Sequence, residues 1–199
     1  MRRPAVLLIK SRSLASKVSG RTPPLGLLYI AACLRKNLGA EVRIIDAELE
    51  ADPLKTVRDA IRTSRPDAAG ISALTAEAFL AHSLAAAIKA ESPDIPVIMG
   101  GPHPSSDPEL VLKYLNIDAA VIGEGEETFS ELTRLLTEEG PAGLRKESLR
   151  SVKGLAFRGL GGIEFSPPRL PIQDLDSLPF PAWDLIDYKK FWKLGAWPA

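Results

Sequence analysis

The chain has one cysteine, Cys33, in 199 residues. A lone thiol excludes an internal disulfide and fits a reducing compartment. It also excludes a self-contained iron–sulfur cluster, which requires several thiolates. There is no excess of either charge: 25 basic and 25 acidic side chains leave a net charge of +0. A nucleic-acid partner would need a basic stripe, and none is present. Long apolar runs are missing too. The opening "MRRPAVLLIK" has the charge of a signal peptide but its apolar run ends at Ile9. The most apolar helical stretch, residues 75–91, carries Glu77, His82 and Lys89 and cannot be a membrane span. The expectation is a soluble, cytoplasmic protein. Histidine is scarce as well, with only His82 and His103, and neither has a hydrolytic triad signature around it.

What is present is a regular alternation. "PAVLLIK", "VRIID", "AAGIS", "IPVIMG" and "AAVIG" are short apolar runs of the kind that parallel strands buried on both faces require. Helical stretches over residues 25–38, 53–64, 75–91, 108–115 and 126–138 separate or follow them. In the first, Leu27, Leu28, Ala31, Leu34 and Leu38 form one apolar stripe. Pro24 and Pro53 stand where a helix begins, and Gly39 where one ends. Five such units predict an α/β, flavodoxin-like (Rossmann-like) doubly wound fold. Its parallel sheet has five strands in the order 2-1-3-4-5. Beyond residue 140 the texture changes. "VKGLAFRG" and "GIEFSP" predict a β-hairpin within residues 141–170, and residues 171–199 read as a proline-rich linker with all three tryptophans.

Ligands of open α/β sheets sit at the carboxyl ends of the strands. The first of those ends opens a long loop, residues 11–24, carrying Ser11, Arg12, Ser13, Ser16, Lys17, Ser19 and Arg21. It is either a contact surface for phosphate or amide groups or a solvated loop. Strand three ends in Ser72-Ala73-Leu74-Thr75, where Ser72 either donates to a ligand or satisfies nearby backbone. At Gly100–Gly101 two side chains are missing together, which lets a planar group lie against bare backbone; one glycine would suffice for a tight turn. Pro102 and His103 follow. Strand five ends in Gly123-Glu124-Gly125-Glu126. The carboxylates argue against phosphate there and suit an amide-bearing ligand, although Glu126 and Glu127 also complement a helix N-terminus.

Ser72-x-Leu74 followed by Gly100–Gly101 resembles the cobalamin signatures of B12-binding domains. With "PPLGLLYIAACLRKNLGAEVRIID", "VIMGGPHPSSDPE", "VIGEGEETFSEL" and "LPIQDLDSLPFPAWDLIDY", the chain is similar to the N-terminal half of cobalamin-dependent radical SAM enzymes, from about Pro4 to Tyr188. The resemblance implies a module that holds cobalamin for a methyltransferase. The implied contacts are Ser11, Ser13, Ser72, Ala73, Leu74, Thr75, Gly100, Gly101, Pro102, His103, Gly123, Glu124, Gly125 and Glu126. The D-x-H-x-x-G motif of methionine-synthase-like domains is missing, since no histidine precedes His82. The resemblance therefore implies base-off cobalamin with no protein histidine on cobalt. His103 has three readings: cobalt ligand, hydrogen-bond partner of the cofactor periphery, or loop packing. The family's C-x-x-x-C-x-x-C triad is absent as well, so a [4Fe-4S] cluster and S-adenosylmethionine belong to a further radical SAM domain, in cis or in trans.

Other readings stay open. One is a degenerate domain that has lost cobalamin and serves docking or substrate recognition. Another is a flavodoxin-like flavin or nucleotide binder, weakened by the lack of an aromatic in the first loop. A phospho-receiver is weaker, because Lys10 and Ser72 stand where acidic residues would be needed. Cys33 reads as a buried, inert thiol. The aromatic set Phe180, Trp183, Tyr188, Phe191 and Trp192 reads as packing for a neighbouring domain.

Overall fold

A computed structural model describes residues 2–13, 22–144 and 146–193. The apolar runs form β1 (Ala5–Lys10), β2 (Glu41–Asp46), β3 (Ala68–Ser72), β4 (Val97–Gly100) and β5 (Ala119–Val121). They pair in parallel in the order β2-β1-β3-β4-β5. The helices are α1 (Leu25–Leu38), α2 (Pro53–Ser64), α3 (Ala78–Glu91), α4 (Pro102–Ser106), α5 (Pro108–Leu112), α6 (Glu126–Glu139), α7 (Lys146–Ser151) and α8 (Tyr188–Lys193).

Local chemistry sets their ends. Asp52 accepts from the Lys55 amide at 3.0 Å, with Pro53 in the first turn of α2. Gly39 ends α1 in the left-handed conformation at φ 61°. The stretch at 75–91 enters as a 3-10 turn over Thr75–Glu77 before α3 begins. Residues 102–106, which the sequence leaves as loop, form α4. Asp107 then interrupts the helical run, its carboxylate accepting from the Leu110 amide at 2.9 Å to start α5.

Side chains alternate across the sheet as strand geometry requires. Leu7 and Ile9 of β1 enter the core beneath α2 and α3. Val6 and Leu8 enter the core beneath α1 and α6. Each such fully buried side chain contributes about 1.5–3 kcal/mol.

The five-strand expectation needs correction: the sheet has seven strands among the described residues. The hairpin strands β6 (Leu155–Gly159) and β7 (Gly162–Phe165) continue the sheet antiparallel, β6 beside β5. The reason is burial. All of β5 is buried, and opposing Ala119, Ala120 and Val121 with Phe157, Ala156 and Leu155 covers an edge that would otherwise be open.

The chain after β7 returns along α1 and α6. The Ala182 amide donates to Leu28 O at 3.1 Å, Lys36 Nζ to Ser177 O at 3.0 Å, and Arg35 pairs with Asp184 at 2.8 Å. Of the aromatic set, Phe191 is buried while Phe180, Trp183 and Tyr188 are exposed; the Trp192 side chain lies outside the described residues. No helix among the described residues is long and apolar enough to cross a membrane.

Candidate functional site

The sheet order reverses between β1 and β3, and the carboxyl ends of the strands there frame a cleft of about 190 Å³. Its floor is Leu8, Gly70, Ile71 and Ile98; one wall is Gly26, Leu27 and Ile30 of α1. Ser72, Gly100 and Gly101 lie at the strand ends, and Val121, Gly123 to Glu126 and Phe129 close the other side.

The glycine pair divides its labour. A Cβ on Gly100 would meet only Val121 Cβ, at 3.8 Å, so this residue leaves bare backbone toward the cleft. Gly101 is a backbone device. Its φ of 95° and ψ of −172° lie in a region open essentially to glycine alone. A Cβ there would stand 3.0 Å from Ala73 O and 3.1 Å from Ser72 Oγ. The turn is pinned on both sides: Ala73 N donates to Gly100 O at 3.1 Å, and His103 N to Ala73 O at 3.0 Å.

Across the cleft, the Gly123 amide donates to Ser105 Oγ at 3.0 Å. Gly125 lets the loop close against Ile30, whose Cδ1 would lie 3.0 Å from a Cβ. Glu126 is half-buried, and its Oε2 is buried without a hydrogen-bond partner among the described residues. Burial pushes its pKa upward and the neighbouring carboxylates Glu124 and Glu127 add to this, against the backbone amides of Glu126 and Gly125. The cleft is thus an apolar slot with one under-satisfied carboxyl at its wall.

A second hollow of about 190 Å³ shares Gly26, Leu27 and Ser72 with the first and extends it over Ala73, Leu74, Lys10 and Glu77. Here Lys10 Nζ lies 3.8 Å from Asp46 Oδ1. Asp46 Oδ1 also accepts from the Glu48 amide at 2.9 Å, while its Oδ2 is buried without a partner among the described residues. Burial raises the Asp46 pKa to about 6, with Lys10 acting in the opposite direction. The native state therefore keeps this proton to a higher pH than the unfolded chain, whose aspartates titrate near ~3.9. The burial penalty is absent below about pH 4 and complete above about pH 6. Urea unfolding of Asp46→Asn and of the parent should show the variant gaining relative stability from pH 4 to pH 7, by at most about 3 kcal/mol. A difference that does not move with pH would refute this account.

The remaining candidates from the sequence fall outside the first cleft. Ser11 is buried and donates to Glu77 O at 3.1 Å, tying the end of β1 to the turn before α3. Ser13 is half-buried and engaged. Thr75 and Pro102 are exposed. Ser16, Lys17, Ser19 and Arg21 lie outside the described residues. His103 is buried but lines a separate groove with Phe79, His82 and Tyr114. Its ring centroid lies 6.0 Å from that of His82, which stacks on Tyr114 at 3.7 Å.

Sequence reasoning missed Gly26, Ile30, Gly70 and Phe129. Only Gly70 left a signal, as a glycine inside a strand. A Cβ there would lie 2.8 Å from Phe129 Cζ, so the missing side chain is what seats the ring against β3.

Residues 11–133 match the family described as the B12 binding domain. The chain belongs to the B12-binding domain family. It is 35% identical over 188 residues to an uncharacterized methyltransferase of Pyrococcus horikoshii, covering 94% of this chain and 39% of that protein. Among solved structures, the cobalamin-dependent S-adenosylmethionine radical enzyme OxsB with aqua-cobalamin bound superposes with a TM-score of 0.76 at 21% identity, over 96% of this chain and 25% of that one. The radical S-adenosylmethionine methyltransferase TsrM of Kitasatospora setae, with cobalamin and a [4Fe-4S] cluster bound, gives 0.69 at 20% identity, over 90% and 31%. At these identities the two structures show the shared fold. The B12-binding domain described here spans well under half the length of each of these three proteins.

Its residues fit the cofactor class. Gly26, Gly100 and Gly123 leave open space where side chains would stand, and the one buried side-chain polar atom on the wall without a partner among the described residues is on a carboxyl able to meet an amide.

Proposed function

We propose that this B12-binding domain is the cobalamin-holding part of a radical SAM methyltransferase and holds the cofactor base-off, with no protein histidine on cobalt. The observation that carries this reading is the cleft. At about 190 Å³ and with apolar walls, it suits a planar heterocycle such as a detached nucleotide base and is too small for a corrin ring. The strand ends around it, Ser72, Ala73, Leu74 and Gly101, then offer the seat for the ring. Glu124 and Glu126, on the cleft wall, offer carboxyl groups that can accept from the hydroxyl groups of the nucleotide tail. Both histidines of the chain line the other groove, and neither lines the cleft.

When bound, cobalamin supplies a methyl group carried on cobalt; the protein's part is to position it and exclude water. Cys33 does not serve a cluster: it is buried, and burial pushes its thiol up to about 11. The [4Fe-4S] cluster and S-adenosylmethionine belong, on this reading, to a catalytic domain reached through residues 171–199, with residues 1–140 as the cobalamin fold and 141–170 as the hairpin extension.

The test uses hydroxocobalamin and EPR. The chain should keep the cofactor through desalting, and its cobalt(II) form should show no nitrogen hyperfine splitting. His103→Ala should leave that spectrum unchanged. Colourless protein after desalting would favour a docking domain that no longer binds cobalamin. Splitting that vanishes in His103→Ala would make the histidine an axial ligand.

A further inference from the structure

We infer that Arg169, although it lies outside the cleft, is a positioning residue for the cofactor's nucleotide tail, acting through the loop Gly123–Glu126. The inference rests on the reading of the cleft as the seat of that tail.

The loop follows the shortest strand of the parallel set, β5, and contains two glycines, so little in its own sequence fixes it. The return segment after β7 supplies what is missing. Arg169 is nine-tenths buried, and its guanidinium spends all three nitrogens on the start of α6: Nε donates to Thr128 Oγ1 at 2.7 Å, Nη1 to Glu127 Oε2 at 2.6 Å, and Nη2 to Glu131 Oε2. Thr128 in turn donates to Lys153 O at 3.0 Å, which ties the same turn to the base of the hairpin. Three residues beyond Arg169, the Ile172 amide donates to Glu124 Oε2 at 2.7 Å, on the cleft loop itself. The guanidinium therefore sets the register in which Ile172 meets Glu124. Charge-assisted bonds of this kind are the strong members of their class.

Two effects follow. The clamp fixes the wall that a planar group would lie against, and it holds one oxygen of Glu124 in a defined place. It also makes the cleft wall continuous with the segment that crosses α1 and α6 toward residue 185, so a displacement of that segment is felt at the cleft.

The experiment compares two corrinoids, hydroxocobalamin and diaquacobinamide, which lacks the nucleotide tail. The parent chain should bind hydroxocobalamin more tightly. Arg169→Ala should weaken hydroxocobalamin about tenfold, the scale of one lost charge-assisted hydrogen bond, and leave diaquacobinamide within about twofold. Ile172→Pro, which removes the amide donor to Glu124, should give the same selective loss while leaving the Arg169 side chain in place. Equal weakening of both corrinoids, or unchanged preference in both variants, would overturn the role of Arg169 and leave the cleft assignment standing. Equal affinity of the parent for the two corrinoids would instead overturn the cleft assignment on which the role depends.

Discussion

Gly100→Val should abolish retention of hydroxocobalamin while the protein stays folded. A valine Cβ at this position meets nothing closer than Val121 Cβ at 3.8 Å, so the fold accommodates it. Its two methyl groups then project into a cleft of only about 190 Å³. Whatever fills that slot must move or leave. A displaced planar group loses its apolar contacts together, and the expected effect is about a hundredfold or more in affinity, near ~3 kcal/mol. Visible absorbance after desalting measures the loss, and far-UV circular dichroism and the urea midpoint report the fold. A coloured Gly100→Val protein with unchanged affinity would remove this cleft from the cofactor site.

Gly101→Val should fail differently, by destabilising the protein itself. The backbone there, at φ 95° and ψ −172°, costs any residue with a Cβ about 1–3 kcal/mol in strain. The added atom also stands 3.0 Å from Ala73 O, which cannot withdraw because it accepts the His103 amide. Together these place the loss at about 3 kcal/mol or more, at the upper end of what single substitutions ordinarily cost. Urea unfolding is the measurement. A Gly101→Val variant as stable as the parent would mean that this turn is not the rigid hinge described. Read from sequence, the two glycines are one device that clears space for a ligand. In the fold, one clears space and the other makes the turn.

That contrast runs through the whole molecule. Sequence alone determined the five parallel strands and the positions of α1, α2 and α6, because apolar period, prolines at helix starts and Gly39 at a helix end are local signals; the strand order followed from the commoner arrangement of five-unit doubly wound folds. It also placed Ser72, Gly100, Gly101 and Gly123 to Glu126 at one edge, since carboxyl ends of parallel strands converge whatever the details. Docking of β6 on β5 was decided only in three dimensions: a hairpin motif specifies its own turn but not the edge it will cover. The walls Ile30 and Phe129 were hidden for a related reason, as apolar residues on helices that look like any other core positions until Gly70 and Gly125 bring them together. His103 follows the glycine pair in sequence, yet α4 carries its ring into the groove beside His82. Arg169 is likewise one of many charged residues in the sequence, and only the return of the chain over α6 aims it at Glu127, Thr128 and Glu131. Periodicity and capping act over a few residues and are written in the sequence; which side chains meet across the ends of a sheet depends on the direction each element leaves it, and that is fixed only when the elements pack.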